Sequence, residues 1–309
     1  MTVSLVTGGA GFIGSHIVEA LLRRGDRVRV LDNFSTGRRE NLAAVAGDVE
    51  ILEGDLRDRE AVRRAVQGAE LIFHQAAFVS VPLSVADPET CFAVNVRGTF
   101  NLLEAARQAG ARRVVLASSA AVYGEAEVFP LTEDLPTASL SPYAASKRTN
   151  EIYADLYTRL TPMGVTALRY FNVFGPRQSP ESDYAAAIPI FIRRMLRGEA
   201  PVIYGDGHQS RDFIFVGDVA RANLMAADAP AAAGGIFNIC SGEEISILDL
   251  VATLGRVLPD APPPRFDAPR PGDIYRSIGS GQRAAEVFGF RPQVSLEEGL
   301  RQTVEWMRL

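Results

Sequence analysis

Thr2-Val3-Ser4-Leu5-Val6-Thr7-Gly8-Gly9-Ala10-Gly11-Phe12-Ile13-Gly14 opens the chain and decides its fold. Residues 2–7 form a short apolar strand. Glycines at 8, 11 and 14 follow at once, and residues 15–24 then repeat with the period of an amphipathic helix. Glycine permits a tight turn, lets the backbone approach a pyrophosphate, and lets the helix pack on the strand. The helix start adds amide donors and the positive end of its dipole. Glycines at this spacing say little alone; between a strand and a helix they predict a dinucleotide-binding turn. A second strand over residues 27–31 ends at Asp32. A carboxylate there accepts from a ribose diol and repels a 2′-phosphate, so NAD is expected over NADP. The plainer reading of Asp32 is a strand-end cap.

Strand and helix alternate onward. Residues 49–52 read as a strand leading to Asp55-Leu56, where the carboxylate would meet an adenine amine. Residues 70–74 form another, followed by Gln75-Ala76-Ala77, small residues suited to backbone passage beside a cofactor. Asn95 falls on a helix expected over 88–109, as a cap for a neighbouring loop or as a cofactor neighbour. The strand over 113–117 ends in Ser118-Ser119-Ala120-Ala121-Val122-Tyr123-Gly124. Open α/β sheets hold ligands at such C-terminal strand ends. The alternation predicts a Rossmann-like, doubly wound parallel sheet with a smaller α/β lobe toward the C-terminus. The expected division is a dinucleotide-binding domain over 1–168 with a return segment near 212–240, interleaved with a substrate lobe from 169–211 and 241–309. Within the latter, 165–170 reads as a strand, 171–177 as a loop, 188–197 as a helix, 202–207 as a strand and turn, 235–240 as a returning sheet strand, and 295–308 as a final helix.

At 309 residues the chain can bury a large core. A net charge of −5 argues against nucleic acid as a partner. Cys91 and Cys240 are too few for a disulfide framework, and scattered His16, His74 and His208 give no metal-ligand spacing. No signal peptide or membrane-length apolar run is legible, so a cytoplasmic enzyme is expected.

The reacting groups are read from Ser141-Pro142-Tyr143-Ala144-Ala145-Ser146-Lys147. Lys147 is the only lysine in the chain, every other basic side chain in the Lys+Arg total of 32 being arginine. A compact ammonium differs from a planar fork, and its retention here marks a site that needs a point charge. Ser141 reads as a helix N-cap and Pro142 as the first helical residue. Tyr143 and Lys147 then share a helix face. A neighbouring ammonium favours the phenolate, so Tyr143 is a candidate base working near neutral pH, with Ser119 within reach.

Together, Gly8-x-x-Gly11-x-x-Gly14, Asp32, Ser119, Tyr143 and Lys147 resemble the extended short-chain dehydrogenase/reductase family over nearly the whole chain. Asp32-Asn33-Phe34-Ser35-Thr36-Gly37, the Ser118–Gly124 run, Arg169-Tyr170-Phe171-Asn172-Val173-Phe174-Gly175 and Ser210-Arg211-Asp212-Phe213 are similar to the nucleotide-sugar 4-epimerases. The resemblance implies a tightly held NAD that takes hydride from the sugar C4 and returns it to the opposite face. Tyr143 would be the base, Ser119 its hydrogen-bonding partner, and Lys147 the group that bonds the nicotinamide ribose. It also implies cofactor contacts from Phe12, Ile13, Asn33, Ser35, Thr36, Gly37, Leu56, Ser118, Tyr170 and Val173. Asn172, Arg211 and Arg270 would meet the diphosphate of a UDP-sugar and Asp273 the uridine ribose. Ala187, Ile188, Phe191 and Tyr204 would flank the uracil. Small residues at Ser277 and Ser80 imply room for an N-acetyl group. Hence UDP-glucose/galactose and UDP-N-acetylglucosamine/galactosamine are the expected substrates. A 4,6-dehydratase would need an acid/base pair that Ser118-Ser119-Ala120-Ala121 lacks. A glucuronate epimerase or decarboxylase would use Arg177 or Arg193 on the C6 carboxylate, and a non-catalytic nucleotide-sensing module would have no use for the phenol. Two helices, 88–109 and 142–160, imply a homodimer through a four-helix interface.

Overall fold

A computed structural model describes residues 1–180, 187–269 and 274–308. The first half runs β1 (Val3–Thr7), α1 (Phe12–Arg24), β2 (Arg27–Asp32), β3 (Val49–Glu53), α2 (Arg59–Val66), β4 (Leu71–His74), α3 (Val81–Ala86), α4 (Pro88–Phe92), α5 (Thr99–Ala109), β5 (Arg113–Ser119), α6 (Pro142–Leu160) and β6 (Gly164–Tyr170). The second runs β7 (Asn172–Phe174), α7 (Ala187–Leu196), β8 (Val202–Tyr204), β9 (Ser210–Arg211), β10 (Phe213–Phe215), α8 (Val216–Asp228), β11 (Ile236–Ile239), β12 (Ile245–Ser246), α9 (Ile247–Val257), β13 (Arg265–Asp267), α10 (Gln282–Phe288) and α11 (Leu296–Met307).

Seven strands form one parallel sheet in the order β11-β6-β5-β4-β1-β2-β3. The order reverses between β1 and β4, which opens a crevice at their C-terminal ends. Period-two alternation divides the sheet between two apolar layers: Val6, Val28, Val30 and Phe73 join α1 and α8 on one face, and Leu5, Leu31 and Ile72 join α2, α5 and α6 on the other. A third core gathers α7, α9 and α11 around Phe174, Phe191, Phe213 and Leu254.

Three local expectations change. Helix α1 starts at Phe12, not Ser15, because Gly11 is the N-cap and Gly14 lies in the first turn. The loop expected over 171–177 contains β7, which pairs in parallel with β10 in register Asn172↔Phe213. The helix over 88–109 is interrupted by a π-helical turn, Ala93–Gly98, that carries Asn95. Helices α8, α9 and α10 had no place in the sequence reading; packing of their apolar faces decides them.

Where α1 meets the sheet the backbones almost touch. A Cβ on Gly14 would stand 2.1 Å from the Gly8 carbonyl oxygen, and one on Gly8, which has φ +68°, would stand 2.6 Å from the Ala76 nitrogen. No flexible side chain lies there to move aside. Gly14→Ala is therefore expected to destabilise the fold by about 1–3 kcal/mol and to release bound dinucleotide. A denaturant titration with quantitation of co-purified nucleotide checks this, and a neutral result on both would contradict the contact.

Candidate active site

Helix α6 carries the reacting groups over the crevice. Ser141 caps it by accepting from the Ala144 amide at 3.1 Å, with Pro142 opening the first turn. The Tyr143 amide, one of the orphan donors of that turn, donates to Ser84 Oγ at 3.1 Å. The Tyr143 phenol faces the Ser119 side chain, and Ser119 Oγ accepts from the Ala121 amide at 3.2 Å. Lys147 Nζ lies 5.7 Å from the centre of the Tyr143 ring and donates to the Ala117 carbonyl at 2.8 Å.

The electrostatics correct one expectation. Burial dominates both groups and disfavours the charged form of each. It pushes the Tyr143 phenol up, with the Ser119 hydrogen bond pulling partway back, and it lowers Lys147 to about 8. In the protein alone, then, the phenol is not primed as an anion near neutrality. The ammonium is committed to a backbone carbonyl and is itself desolvated.

Around the glycine turn, Asp32 is buried, and both readings of it meet. Its Oδ2 accepts from the Ala10 amide and its Oδ1 from the Phe34 amide, each at 2.9 Å, which is the cap. Each oxygen retains a lone pair for a diol. Gly37 packs so closely that a Cβ would lie 2.9 Å from both oxygens. Asn33, Ser35 and Thr36 form an exposed rim beside it, and the Ser35 amide donates to Asn33 Oδ1 at 3.0 Å. Phe12, Ile13 and Val173 pack together at the edge of the third core. Ala76 approaches Gly8 through its backbone, and Ala77 follows it.

Several expected cofactor contacts have other partners. Asp55 binds Arg57 through two bonds of 2.8 and 2.7 Å and accepts from Asn33 at 2.8 Å; Arg57 holds its carboxyl well below the usual range. Leu56 is buried, its carbonyl taken by Asn101 at 3.0 Å. The Gln75 amide, the Tyr170 hydroxyl and Asn223 of α8 close on one another at 2.8–3.3 Å. Asn95 takes the loop-brace role: it accepts from the Phe78 amide (2.7 Å) and donates to the Phe78 carbonyl (3.1 Å) and to Ser146 Oγ (2.9 Å). Ser118 alternates away from Ser119 and donates to Glu151 at 2.6 Å.

On the other side of the crevice a cavity of about 340 Å³ brings together Asn172, Ala187, Ile188, Phe191, Tyr204 and Arg211. Arg194 and Gln209 also line it and went unnamed in the sequence reading, and so does Phe213 of the Ser210–Phe213 run. Arg194 was discoverable, three residues past Phe191 on the same helix face. Gln209, whose amide donates to the Tyr204 carbonyl at 2.7 Å, gave no signal. Neither did the role of Asp212, fully buried, which accepts from the Ser241 amide and hydroxyl (both 2.7 Å), the Gly242 amide (3.0 Å) and the Gly279 amide (3.2 Å). Arg270 and Asp273 lie outside the described residues. Ser80 caps α3 by accepting from the Leu83 amide at 3.2 Å. Half-buried Ser277 donates its amide to the Ser210 carbonyl at 3.2 Å. Arg177 pairs through Nη2 with Glu19 of α1, while Arg193 lies half-buried on α7.

Neither Gly8 nor Gly14 admits a Cβ, and Asp32 stands at the second strand end. These residues fit a dinucleotide whose pyrophosphate needs close backbone approach. Residues 4–240 match the model of the NAD dependent epimerase/dehydratase family. UDP-glucose 4-epimerase of Mycolicibacterium smegmatis is 42 % identical over 309 residues, covering 99 % of this chain and 98 % of that one. Two solved structures are similar over 99 % of this chain. A UDP-N-acetylglucosamine 4-epimerase from Methanobrevibacter ruminantium, in complex with UDP-N-acetylmuramic acid, has TM-score 0.95, 39 % identity and 98 % of its chain covered. A Thermus thermophilus UDP-glucose 4-epimerase, complexed with NAD, has TM-score 0.90, 42 % identity and 99 % covered.

The buried ammonium predicts a pH signature. Folding lowers the Lys147 pKa from 10.5 to about 8, so the unfolded chain holds this proton more tightly. The penalty is complete below pH 8 and fades as pH rises from about 8 to 10.5. Lys147→Met removes it, and the nucleotide-free variant is expected to gain on the order of 1–3 kcal/mol at neutral pH. That gain should shrink to nothing near the upper end of the window. Thermal midpoints across the range check this; a variant less stable at every pH would overturn it.

Proposed function

The chain belongs to the NAD dependent epimerase/dehydratase family, and from that premise we propose that it is a UDP-hexose 4-epimerase that accepts N-acetylated as well as plain sugars. What carries the reading is the coexistence of two features: a phenol, a hydroxyl and an ammonium at the C-terminal end of β5, and a cavity of about 340 Å³ lined by Asn172 and Arg211 among others. The Gly8–Gly14 turn and Asp32 would hold NAD, which would supply the reversible hydride acceptor for the sugar C4 and a cationic nicotinamide. A cation near Tyr143 would favour the tyrosinate and counter the burial that pushes its phenol up. Tyr143 then takes the proton of the 4-hydroxyl and returns it to the 4-keto oxygen after the sugar has turned over. Ser119 holds the reacting oxygen in line with the phenol. Asn172 and Arg211 anchor the diphosphate, so that binding energy remote from C4 retains the intermediate between the two half-reactions.

Breadth toward N-acetyl sugars rests on small Ser277 and Ser80 and on the similar protein named a UDP-N-acetylglucosamine 4-epimerase. A glucuronate preference gains no support from Arg177, whose guanidinium pairs with Glu19. We also propose a homodimer. Ile152, Leu156 and Leu160 make an exposed stripe on α6, and exposed Phe92 and Phe100 continue it on α4 and α5, with Phe100 edge-on to Tyr153 at 6.0 Å.

Purified protein is expected to carry NAD and to interconvert UDP-glucose with UDP-galactose, and the two UDP-N-acetylhexosamines, without added cofactor. Tyr143→Phe should lower kcat by about 10²–10⁴-fold. Undiminished turnover in that variant rejects the mechanism, and inactivity on the acetylated pair alone rejects the breadth. Ile152→Arg combined with Leu156→Arg is expected to shift the light-scattering mass to that of a monomer. An unchanged mass would remove the proposed interface.

A further inference from the structure

On α6, Tyr143, Lys147 and Glu151 recur every four residues, and each meets a different member of one tripeptide of β5. The phenol faces Ser119, the ammonium bonds the Ala117 carbonyl at 2.8 Å, and Glu151 Oε1 accepts from Ser118 Oγ at 2.6 Å. Glu151 is 1 % exposed, as is Arg169 of β6. The two form a bidentate pair, Arg169 Nε to Oε1 at 2.7 Å and Nη2 to Oε2 at 2.9 Å, and Arg148 adds a bond of 2.9 Å to Oε2. Ser118 and Arg169 are direct partners in the β5–β6 ladder. The Arg169 guanidinium also stacks 4.7 Å from the ring centre of Tyr123. One carboxylate thus joins the helix to two adjacent strands.

Stability is a poor reason for such a pair. Desolvating two charges offsets most of their attraction, and apolar residues of similar volume often hold a fold as well. Direction is what a planar bidentate contact adds. We propose that Glu151 is a positioning residue for the epimerase site: clamped by Arg169 and Ser118, it fixes the rotation and axial height of α6, and so the places of Tyr143 and Lys147 over β5. This rests on the function proposed above. Glu151 lies eight residues beyond Tyr143, about 12 Å along the axis, and does not line the cavity. Its action is therefore through the helix. A shift of about 1 Å at the phenol would cost on the order of 10²-fold in rate.

The lone lysine supplies a readout independent of turnover. Protein labelled with 15N-lysine gives a single Nζ signal, that of Lys147, whose surroundings are Tyr143 on its own helix, Cys91 of α4 and His74 of β4. The test compares wild type with Ser118→Ala, Glu151→Gln and the paired apolar variant Glu151→Met/Arg169→Met. The paired variant is expected to keep its thermal midpoint and NAD content. Its kcat should fall on the order of 10²-fold while KM stays within about twofold. Its Nζ midpoint should rise from about 8 toward the ordinary lysine value as the ammonium gains solvent. Ser118→Ala should show the same signature more weakly. A folded paired variant with wild-type kcat and Nζ midpoint overturns the proposal. If that variant does not fold, unchanged values in both single variants overturn it equally. Should wild type turn over no UDP-hexose, the proposed function fails, and the Nζ midpoints still decide whether Glu151 places Lys147.

Discussion

The position of helix α6 on β5 and β6 is the constraint from which the site follows. One polar stripe of this helix faces inward, and each of its members is committed to a different neighbour. Beyond Tyr143, Lys147 and Glu151, Ser146 meets Asn95 at 2.9 Å, and Asn150 reaches Thr99 at 3.2 Å. From Thr99 the contacts run through His74 Nε2 (2.9 Å) and Nδ1 (2.7 Å) to Thr7, the last residue of the strand before the glycine turn. Burial lowers His74 to about 3, so this chain of contacts is uncharged across the working pH range. Helix α6 and the glycine turn are thereby registered to each other through uncharged groups. Unpaired groups in such a network are costly, which makes the arrangement specific; Asn150 Oδ1 is the member of this stripe that is buried without a partner among the described residues.

The segments that follow β6 solve a related problem with a carboxylate. Asp212 lies between Arg211 and Phe213, and its oxygens collect amides from two other segments, 241–242 and 279. The β7–β10 pairing sets Asn172 beside it, since the Asn172 side chain donates to the Asp212 carbonyl at 3.0 Å. The lobes are joined at α1, where His16 meets the Pro176 carbonyl at 3.0 Å and Glu19 holds Arg177. Arg177 has φ +71°, a left-handed conformation unusual for a side-chain-bearing residue, and the ion pair helps to hold it there. Burial brings His16 down to about 4, so that junction also avoids a second cation beside Arg177.

Much of this was legible from local rules. Strand, glycines and helix start follow one another within 14 residues, and the Ser-Pro start of α6 carries its own cap chemistry. What local rules could not supply was each group's neighbours. Asp55, expected beside an adenine, also binds Arg57 two residues on. Ser118 was expected beside the cofactor and Ser119 beside the phenol; the pleat turns Ser118 to Glu151 of α6 and Ser119 toward Tyr143. Asn95 was ambiguous because either role needs a buried amide, and its two bonds to Phe78 show the loop brace.

The sequence by itself determined the alternation of strands and helices, the backbone that must do without side chains, and the pairing of a phenol with the only ammonium on one helix face. Those properties depend on residues a few positions apart. Tertiary structure alone decided which charges are exposed to water and which are enclosed, and so the direction in which Tyr143 and Lys147 titrate. It also decided that Glu151 meets Arg169 across 18 residues of chain. The reason is that desolvation belongs to the enclosing shell, and that shell is assembled from β4, β5, β6, α4 and α6 together, whose contacts no local window contains.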